Sequence, residues 1–377
     1  VKQRLCATSR TVKHDIGDDT FDVKVIRWPQ ATGDEVGTVV FQALGFLWMR
    51  SPLDDQPARI TKQYAEHEFA PWLTPDGKSV VYTTWHDTQG GRIRMIDLDG
   101  SNARTLVDEP GHYASAVLSP DGTEVLYRRA GPDRYRGTAF AGRQGIWRKR
   151  LAEDAAPVFV TRKGRKPRYA PGGKRIHVIR QEGGQSKLVS LDPIGSDARV
   201  VAESEYARDY AVSPDGKWLA FEELWQTYVV PLPPQPTTLK AGPKMKDLPV
   251  KRLSKHGGTY LAWSADSRTV RWSIGPELFS ADTLELGLTG VPAPDNPPVR
   301  LGWKQAADAP DTDVWFVGAT ILPMHDESVI EDGVVHVKGR RIVAVGTKED
   351  VAVPAGAKVI DCAGKTLMPG IIDIHSH

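Results

Sequence analysis

The stretch DYAVSPDGKWLAFEEL (Asp209–Leu224) carries the pattern that decides the fold of most of this chain. A strand-like apolar segment runs into Pro214-Asp215-Gly216, and a second strand-like segment follows the turn. Proline pre-sets its own φ for a turn, while aspartate and glycine accept the remaining turn geometry. The stretch is therefore predicted to form a β-hairpin.

The same pattern recurs along the first three hundred residues. The turn positions are separated by 45, 51, 43 and 51 residues, and a degenerate copy lies upstream at Val25–Arg50. A second pair of short strands follows each hairpin, and four strands per about 40–50 residues is the period of a propeller blade. The other copies are APWLTPDGKSVVYTTW (Ala70–Trp85), SAVLSPDGTEVLYRRA (Ser115–Ala130), PRYAPGGKRIHVIRQE (Pro167–Glu182) and LAWSADSRTVRWSIG (Leu261–Gly275).

The hairpin, the Asp-Gly segment after it and the closing strand resemble the TolB-like propeller repeat. This resemblance implies a six-bladed β-propeller over residues 1–305, in a chain whose fold class is mainly β. Such propellers serve as binding platforms, gates or scaffolds, so the repeat predicts architecture rather than chemistry. The blade histidines show no paired ligand spacing, and tryptophans such as Trp72, Trp147 and Trp272 are interpreted as blade core.

Composition narrows the class of protein. The 377 residues are 40% hydrophobic and 25% charged, which is typical of a soluble globular protein, and the net charge of +2 argues against a nucleic-acid partner. The basic run RKGRKPR (Arg162–Arg168) is interpreted as a solvated loop in preference to a phosphate-binding patch, since no aromatic residues interleave with its charges.

The sequence contains no membrane-length apolar run, and it is cysteine-poor. Because no run of 18 apolar residues occurs, no membrane span is expected. Cys6 and Cys362 cannot form a disulfide framework or a cysteine metal site. The chain starts without Met, which is compatible with a processed N-terminus, and a periplasmic or secreted location is favoured over a cytoplasmic one.

The blade pattern stops after residue 305. Short β segments then suggest a small β-sandwich over residues 306–370, including a hairpin about Lys338-Gly339-Arg340. The second arm of this hairpin, Ile342–Val345, is apolar on both faces and is predicted to be buried. The last segment, IIDIHSH (Ile371–His377), is predicted to be a buried parallel strand.

In such a strand, Asp373, His375 and His377 share one face. Two imidazoles at i and i+2 can converge on one metal ion, at the Zn–N distance of about 2.0–2.1 Å. Taken alone, this HxH pattern is weak, because chance pairs are common.

The order of segments from about residue 314 to His377 resembles the opening of the metal-dependent amidohydrolases, in particular imidazolonepropionase-like and prolidase-like members. The segments that carry this resemblance are GATIL, IEDGVVHVKGRRIVAVG, VPAGAKVIDCAGK and LMPGIIDIHSH. The resemblance implies part of a small sandwich, and then the first strand of a (β/α)8 barrel at residues 371–377. It also implies that His375 and His377 bind a catalytic divalent metal, typically zinc, and that Asp373 packs beside the site or hydrogen-bonds to a ligand.

Two hypotheses of function follow. In the first, the chain is the N-terminal part of an amidohydrolase that cleaves C–N bonds of a small amide or dipeptide substrate with metal-activated water. Its catalytic residues are expected beyond His377, on a barrel portion supplied as a second chain or a continuation, so this chain alone is expected to be inactive. The protein could also form an oligomer. The alternative is a non-catalytic propeller that serves as a binding or scaffold module. A serine peptidase is disfavoured because no G-x-S-x-G sequence occurs.

Overall fold

The described part of the chain consists of β-strands and the loops between them. In this computed structural model, residues 19–33, 37–132, 137–152, 155–234, 237–283, 297–308 and 312–370 are described. Within these ranges, no helix has the length and apolar character of a membrane span. The chain separates into two compact units, one of residues 22–303 and the other of the described residues 19–21 and 304–370.

The larger unit contains six sheets of at least four strands, which follow one another along the chain. After β1 (Thr20–Val23), the first sheet contains β2 (Arg27–Ala31), β3 (Val39–Ala43), β4 (Phe46–Arg50) and β5 (Ala58–Arg59). The second contains β6 (His67–Leu73), β7 (Ser79–Trp85), β8 (Gly91–Asp97) and β9 (Arg104–Gly111). The third contains β10 (Tyr113–Leu118), β11 (Glu124–Arg129), β12 (Gly145–Arg150) and β13 (Val158–Thr161).

The remaining three sheets repeat the same plan. The fourth contains β14 (Arg165–Tyr169), β15 (Ile176–Glu182), β16 (Gln185–Leu191) and β17 (Arg199–Ser204). The fifth contains β18 (Ala207–Val212), β19 (Trp218–Glu223) and β20 (Gln226–Pro231), and β21 (Leu239–Lys240) adds to the fourth sheet in parallel before β22 (Lys251–Arg252) completes the fifth. The sixth contains β23 (Thr259–Trp263), β24 (Thr269–Ile274), β25 (Glu277–Asp282) and β26 (Val299–Arg300).

The repeated turn forms the hairpin between the first two strands of a blade. In the third blade, the Gly122 N–H donates to the Ser119 carbonyl at 2.8 Å, and the Ser119 N–H donates to the Glu124 carbonyl at 2.9 Å. Gly122 has a φ of 70°, a left-handed conformation that glycine adopts without steric cost. In the sixth blade Ser267 takes this position with a φ of 67°. The hairpins predicted from the Pro-Asp-Gly pattern are confirmed.

The first and sixth blades pack against each other. Phe41 and Trp48 of the first blade share a buried cluster with Leu278 and Leu301 of the sixth. This contact between the ends of the repeat array completes the six-bladed β-propeller that the sequence predicts.

A separate sheet with both parallel and antiparallel pairs follows the propeller along the chain. After β27 (Trp303–Ala306), which pairs with β1, come β28 (Asp313–Ile321), β29 (Ile330–Lys338), β30 (Arg341–Gly346), β31 (Lys358–Asp361) and β32 (Thr366–Leu367). The order is β30-β29-β28-β31, and β32 also pairs with β28. Lys338 pairs with Arg341, so the predicted hairpin is confirmed. The complete sandwich stays a prediction.

Candidate functional site

The two predicted metal ligands, His375 and His377, lie outside the described residues, as does Asp373. The last described strand before them is β32, which runs parallel to β28. Across residues 19–370, apart from the internal gaps given above, no three His, Cys, Asp or Glu side chains are grouped as a metal site. The metal site therefore stays a prediction.

One face of the mixed sheet carries an apolar row that crosses four strands. Val345 pairs with Val335, Val335 pairs with Phe316, and Phe316 pairs with Ile360. Val335 at the centre is buried, whereas Val345 and Ile360 at the ends are 43% and 40% exposed. The exposed apolar side chains at the two ends of the row are therefore continuous with a buried cluster at its centre.

The prediction that Ile342–Val345 is buried was wrong. Ile342 is 67% exposed and Val343 is 51% exposed. Their strand, β30, lies at the edge of the sheet and pairs only with β29 among the described strands. Apolar residues on both faces of a strand therefore did not indicate burial here, because burial also depends on what covers the sheet.

His336 is held as a structural residue of this sheet. Its ring stacks on Trp315 at 3.9 Å between centroids with 8° between the planes, and its Nε2 lies within hydrogen-bonding distance of the Asp313 carboxylate. The hydrogen bond with His336 is the main influence that lowers the pKa of Asp313. The stacking and the hydrogen bond together fix the orientation of this ring within the sheet.

The propeller has a cavity at its centre. All six blades line it, and each blade contributes the equivalent residue of its first strand. In the second to sixth blades this residue lies five positions before the turn proline or the residue that replaces it. These residues are Trp28, Ala70, Ser115, Lys166, Asp209 and Tyr260. A site assembled from all six blades exists only when the ring is complete.

Irregular backbone brings these side chains to the cavity. In every blade the pairing of the first two strands is interrupted by a bulge or register shift at this point. Trp28, Ala70, Ser115, Lys166 and Tyr260 all have φ between 48° and 57°. Such left-handed non-glycine residues are uncommon, and bulges often re-aim side chains next to functional sites. The repetition of this geometry marks the cavity as a candidate binding site.

An ion pair between a half-buried lysine and a buried aspartate forms one wall of the cavity. The Lys166 Nζ lies 2.7 Å from Oδ2 of Asp209, whose side chain is 1% exposed. The Arg168 guanidinium lies 4.0 Å from the same oxygen and donates to the Leu261 carbonyl at 3.4 Å. It also lies 5.5 Å from the Trp72 ring centre.

The interpretation of Arg162–Arg168 as a solvated loop was therefore wrong for its second half. Arg165 begins β14, the innermost strand of the fourth blade, and Lys166 and Arg168 are partly buried at the cavity. Only Arg162 and Lys163 are exposed as expected. Trp72 likewise lines the cavity as well as packing against a blade core.

The cavity wall perturbs two further groups. Burial, followed by the charge of Asp209, raises the pKa of Glu222, which pairs with Asp209 across the first two strands of the fifth blade. Burial also raises the pKa of Tyr260, whose ring lies 5.6 Å from that of Trp28. Counting back from each turn proline would have found most of these positions, but the sequence does not show which strand faces the axis.

Comparison with known proteins gives short sequence matches. No family profile matches the chain. It is 44% identical over 61 residues to 5-methylthioadenosine/S-adenosylhomocysteine deaminase of Symbiobacterium thermophilum, covering 16% of this chain and 14% of that protein. It is 42% identical over 57 residues to imidazolonepropionase of Alkaliphilus metalliredigens, covering 14% of each. The chain thus spans about one-seventh of these curated relatives, both of which carry hydrolase names.

The structural comparison concerns the propeller fold. TolB from Acinetobacter baumannii is similar with a TM-score of 0.50 and 17% identity, over 74% of this chain and 65% of that one. At this identity the likeness shows the fold alone, a TolB-like β-propeller.

Proposed function

We propose that this chain is the N-terminal part of a metal-dependent amidohydrolase that hydrolyses C–N bonds of amide or dipeptide-like substrates. The observation that carries the proposal is the mixed sheet with its apolar row, directly ahead of the LMPGIIDIHSH segment. The short matches to hydrolase names support the same class. Export from the cytoplasm stays a prediction.

His375 and His377 are the proposed ligands of a divalent metal, zinc being preferred for imidazole nitrogens at this spacing. A bound ion of this kind lowers the pKa of water and polarises a carbonyl. The two imidazoles would contribute metal binding only. The groups that orient a substrate and transfer protons are assigned to the barrel portion, from the C-terminal ends of its strands.

The apolar row supports the inference that another part of the protein covers this face of the mixed sheet. Val345, Ile342 and Ile360 expose apolar side chains on or beside a cluster that contains Val335 and Phe316. Exposed apolar patches of this kind commonly mark interaction surfaces. We assign the barrel portion, as a second chain or a continuation, as the partner that covers it.

Zinc affinity tests the ligand assignment. In protein that includes the barrel portion, His375→Ala and His377→Ala are each expected to weaken zinc binding by more than about 10–100-fold, the usual cost of losing a residue that only hydrogen-bonds to a ligand. The measurement is a competition titration against a chromophoric chelator. His325→Ala is the control, because the His325 side chain is 73% exposed in a loop. The 377-residue chain alone is expected to hold zinc loosely, so tight stoichiometric zinc there would contradict a site completed elsewhere.

Stability and self-association test whether a partner covers the apolar face of the mixed sheet. Ile342→Thr and Ile360→Thr are expected to change the free energy of unfolding of the chain by only about 0.5 kcal/mol each, and to reduce self-association seen by light scattering. Val335→Thr at the buried centre of the row is the matched control, and it should cost about 1–3 kcal/mol. Equal costs at all three positions would show that Ile342 and Ile360 are covered within the chain.

A non-catalytic binding module is the second candidate function, and the central cavity favours it. This function predicts that ligand binding by the propeller is independent of His375 and His377. The first candidate predicts hydrolysis that is lost with either histidine. Assays of both properties on the same variants separate the two.

A further inference from the structure

The central cavity has a charged wall and an aromatic wall. Lys166, Arg168 and Asp209 form the charged wall, on the fourth and fifth blades. Trp28 and Tyr260 form the aromatic wall, on the first and sixth blades. A ligand with a charged end and an apolar body would match both walls.

Cations outnumber carboxylates around this cavity. Among the residues that line it, Lys166 and Arg168 are cationic and Asp209 is anionic. Lys166 pairs with Asp209 at 2.7 Å, so the positive charge of Arg168 is in surplus. The surplus charge favours an anion.

The Arg168 guanidinium has hydrogen-bonding capacity to spare. Its distance of 4.0 Å from Oδ2 of Asp209 is too long for a hydrogen bond, whereas Lys166 contacts that oxygen at 2.7 Å and the Tyr210 N–H donates to the other oxygen at 2.9 Å. The Leu261 carbonyl takes one of the five N–H donors that a guanidinium offers. The planar pairs of donors on arginine match the two oxygens of a carboxylate.

The size of the cavity limits the ligand. Its volume is about 60 Å³, and one water requires about 10–15 Å³ of such space. There is room for only a few heavy atoms. A polymer or a nucleotide is therefore too large, and a short-chain carboxylate fits.

We propose that the propeller cavity binds the carboxylate of a small organic acid, with Arg168 as the recognising group. The guanidinium pairs with the carboxylate, and the apolar body of the acid contacts Trp28 and Tyr260. This site lies wholly within residues 22–303. It does not depend on the proposed metal chemistry.

Ligand-observed NMR titration of the full chain with propionate tests the proposal. Propionate is expected to bind with a millimolar dissociation constant, whereas propionamide, its neutral isostere, should bind at least about tenfold more weakly. Arg168→Gln should weaken propionate binding by a similar factor. Arg162→Gln removes the same charge from an exposed position of the same basic run and should leave binding unchanged.

Arg168→Lys is a second variant, which tests the proposal even if Arg168→Gln does not fold. It keeps the charge but removes the planar pair of donors, so propionate should bind more weakly than to wild type and more tightly than to Arg168→Gln. Thermal unfolding verifies that each variant is folded. Equal binding of propionate and propionamide, unchanged affinity in both Arg168 variants, or no binding of propionate to the wild type would each overturn the assignment.

Discussion

Replacement of Glu68 with alanine is expected to lower the free energy of unfolding by about 3–4 kcal/mol. Glu68 lies in β6 of the second blade and is fully buried. Its Oε2 accepts hydrogen bonds from the Leu47 N–H and the Thr61 hydroxyl, each at 2.8 Å, and its Oε1 accepts one from Gln63. Leu47 belongs to the first blade, so this carboxyl joins two blades. Alanine would leave the Leu47 N–H and the Thr61 hydroxyl buried without this acceptor.

The surroundings of the Glu68 carboxyl indicate how much of this stabilisation comes from hydrogen bonding. Burial is the largest influence on the Glu68 carboxyl and raises its pKa, while the hydrogen bond from Leu47 opposes that rise. Part of the stabilisation therefore comes from hydrogen bonding that an uncharged acceptor can supply. Glu68→Gln keeps an acceptor oxygen of similar shape and is expected to cost about 1 kcal/mol.

Denaturant unfolding of the full chain provides the measurement. Asp108→Ala is the control, because Asp108 is 85% exposed and pairs with Arg92 on the surface. Surface ion pairs of this kind contribute about 0–1 kcal/mol. If Glu68→Ala cost no more than Asp108→Ala, the buried carboxyl would not join the blades energetically.

The blades were predictable because their signals are local. Pro214, Asp215 and Gly216 specify a turn without reference to the rest of the chain, and apolar residues on either side specify the hairpin arms. Repetition of that unit then predicts the propeller, since one blade cannot bury its faces without neighbours. Each step needs only residues that are close in sequence.

The central cavity depends on contacts that are distant in sequence. Trp28 and Tyr260 meet only after six blades have formed a ring. The charges of Lys166 and Arg168 look like part of a solvated basic run until β14 is placed at the axis. Burial of Ile342 failed as a prediction for the related reason that an apolar strand does not reveal its cover.

His177 illustrates a buried group whose effect on stability can be measured through pH. It lies in β15 between Arg168 and Ser190 on the neighbouring strands, and it is 9% exposed. Burial, followed by the positive charges of Arg175 and Arg168, lowers its pKa to about 4. The folded protein therefore keeps this imidazole neutral, whereas the unfolded chain protonates it near the ordinary pKa of about 6.5.

Because the pKa of His177 is lowered on folding, its contribution to stability is complete above pH 6.5 and is lost as pH falls toward 4. Over that window the free energy of unfolding should decrease by roughly 3 kcal/mol from this residue, at about 1.4 kcal/mol for each pKa unit. Denaturant unfolding at a series of pH values measures this slope in the wild type and in His177→Gln, where the contribution should vanish. His325→Gln, at an exposed position, should retain the wild-type slope. The same slope in His177→Gln and the wild type would mean that His177 is protonated as easily in the folded protein as in the unfolded chain.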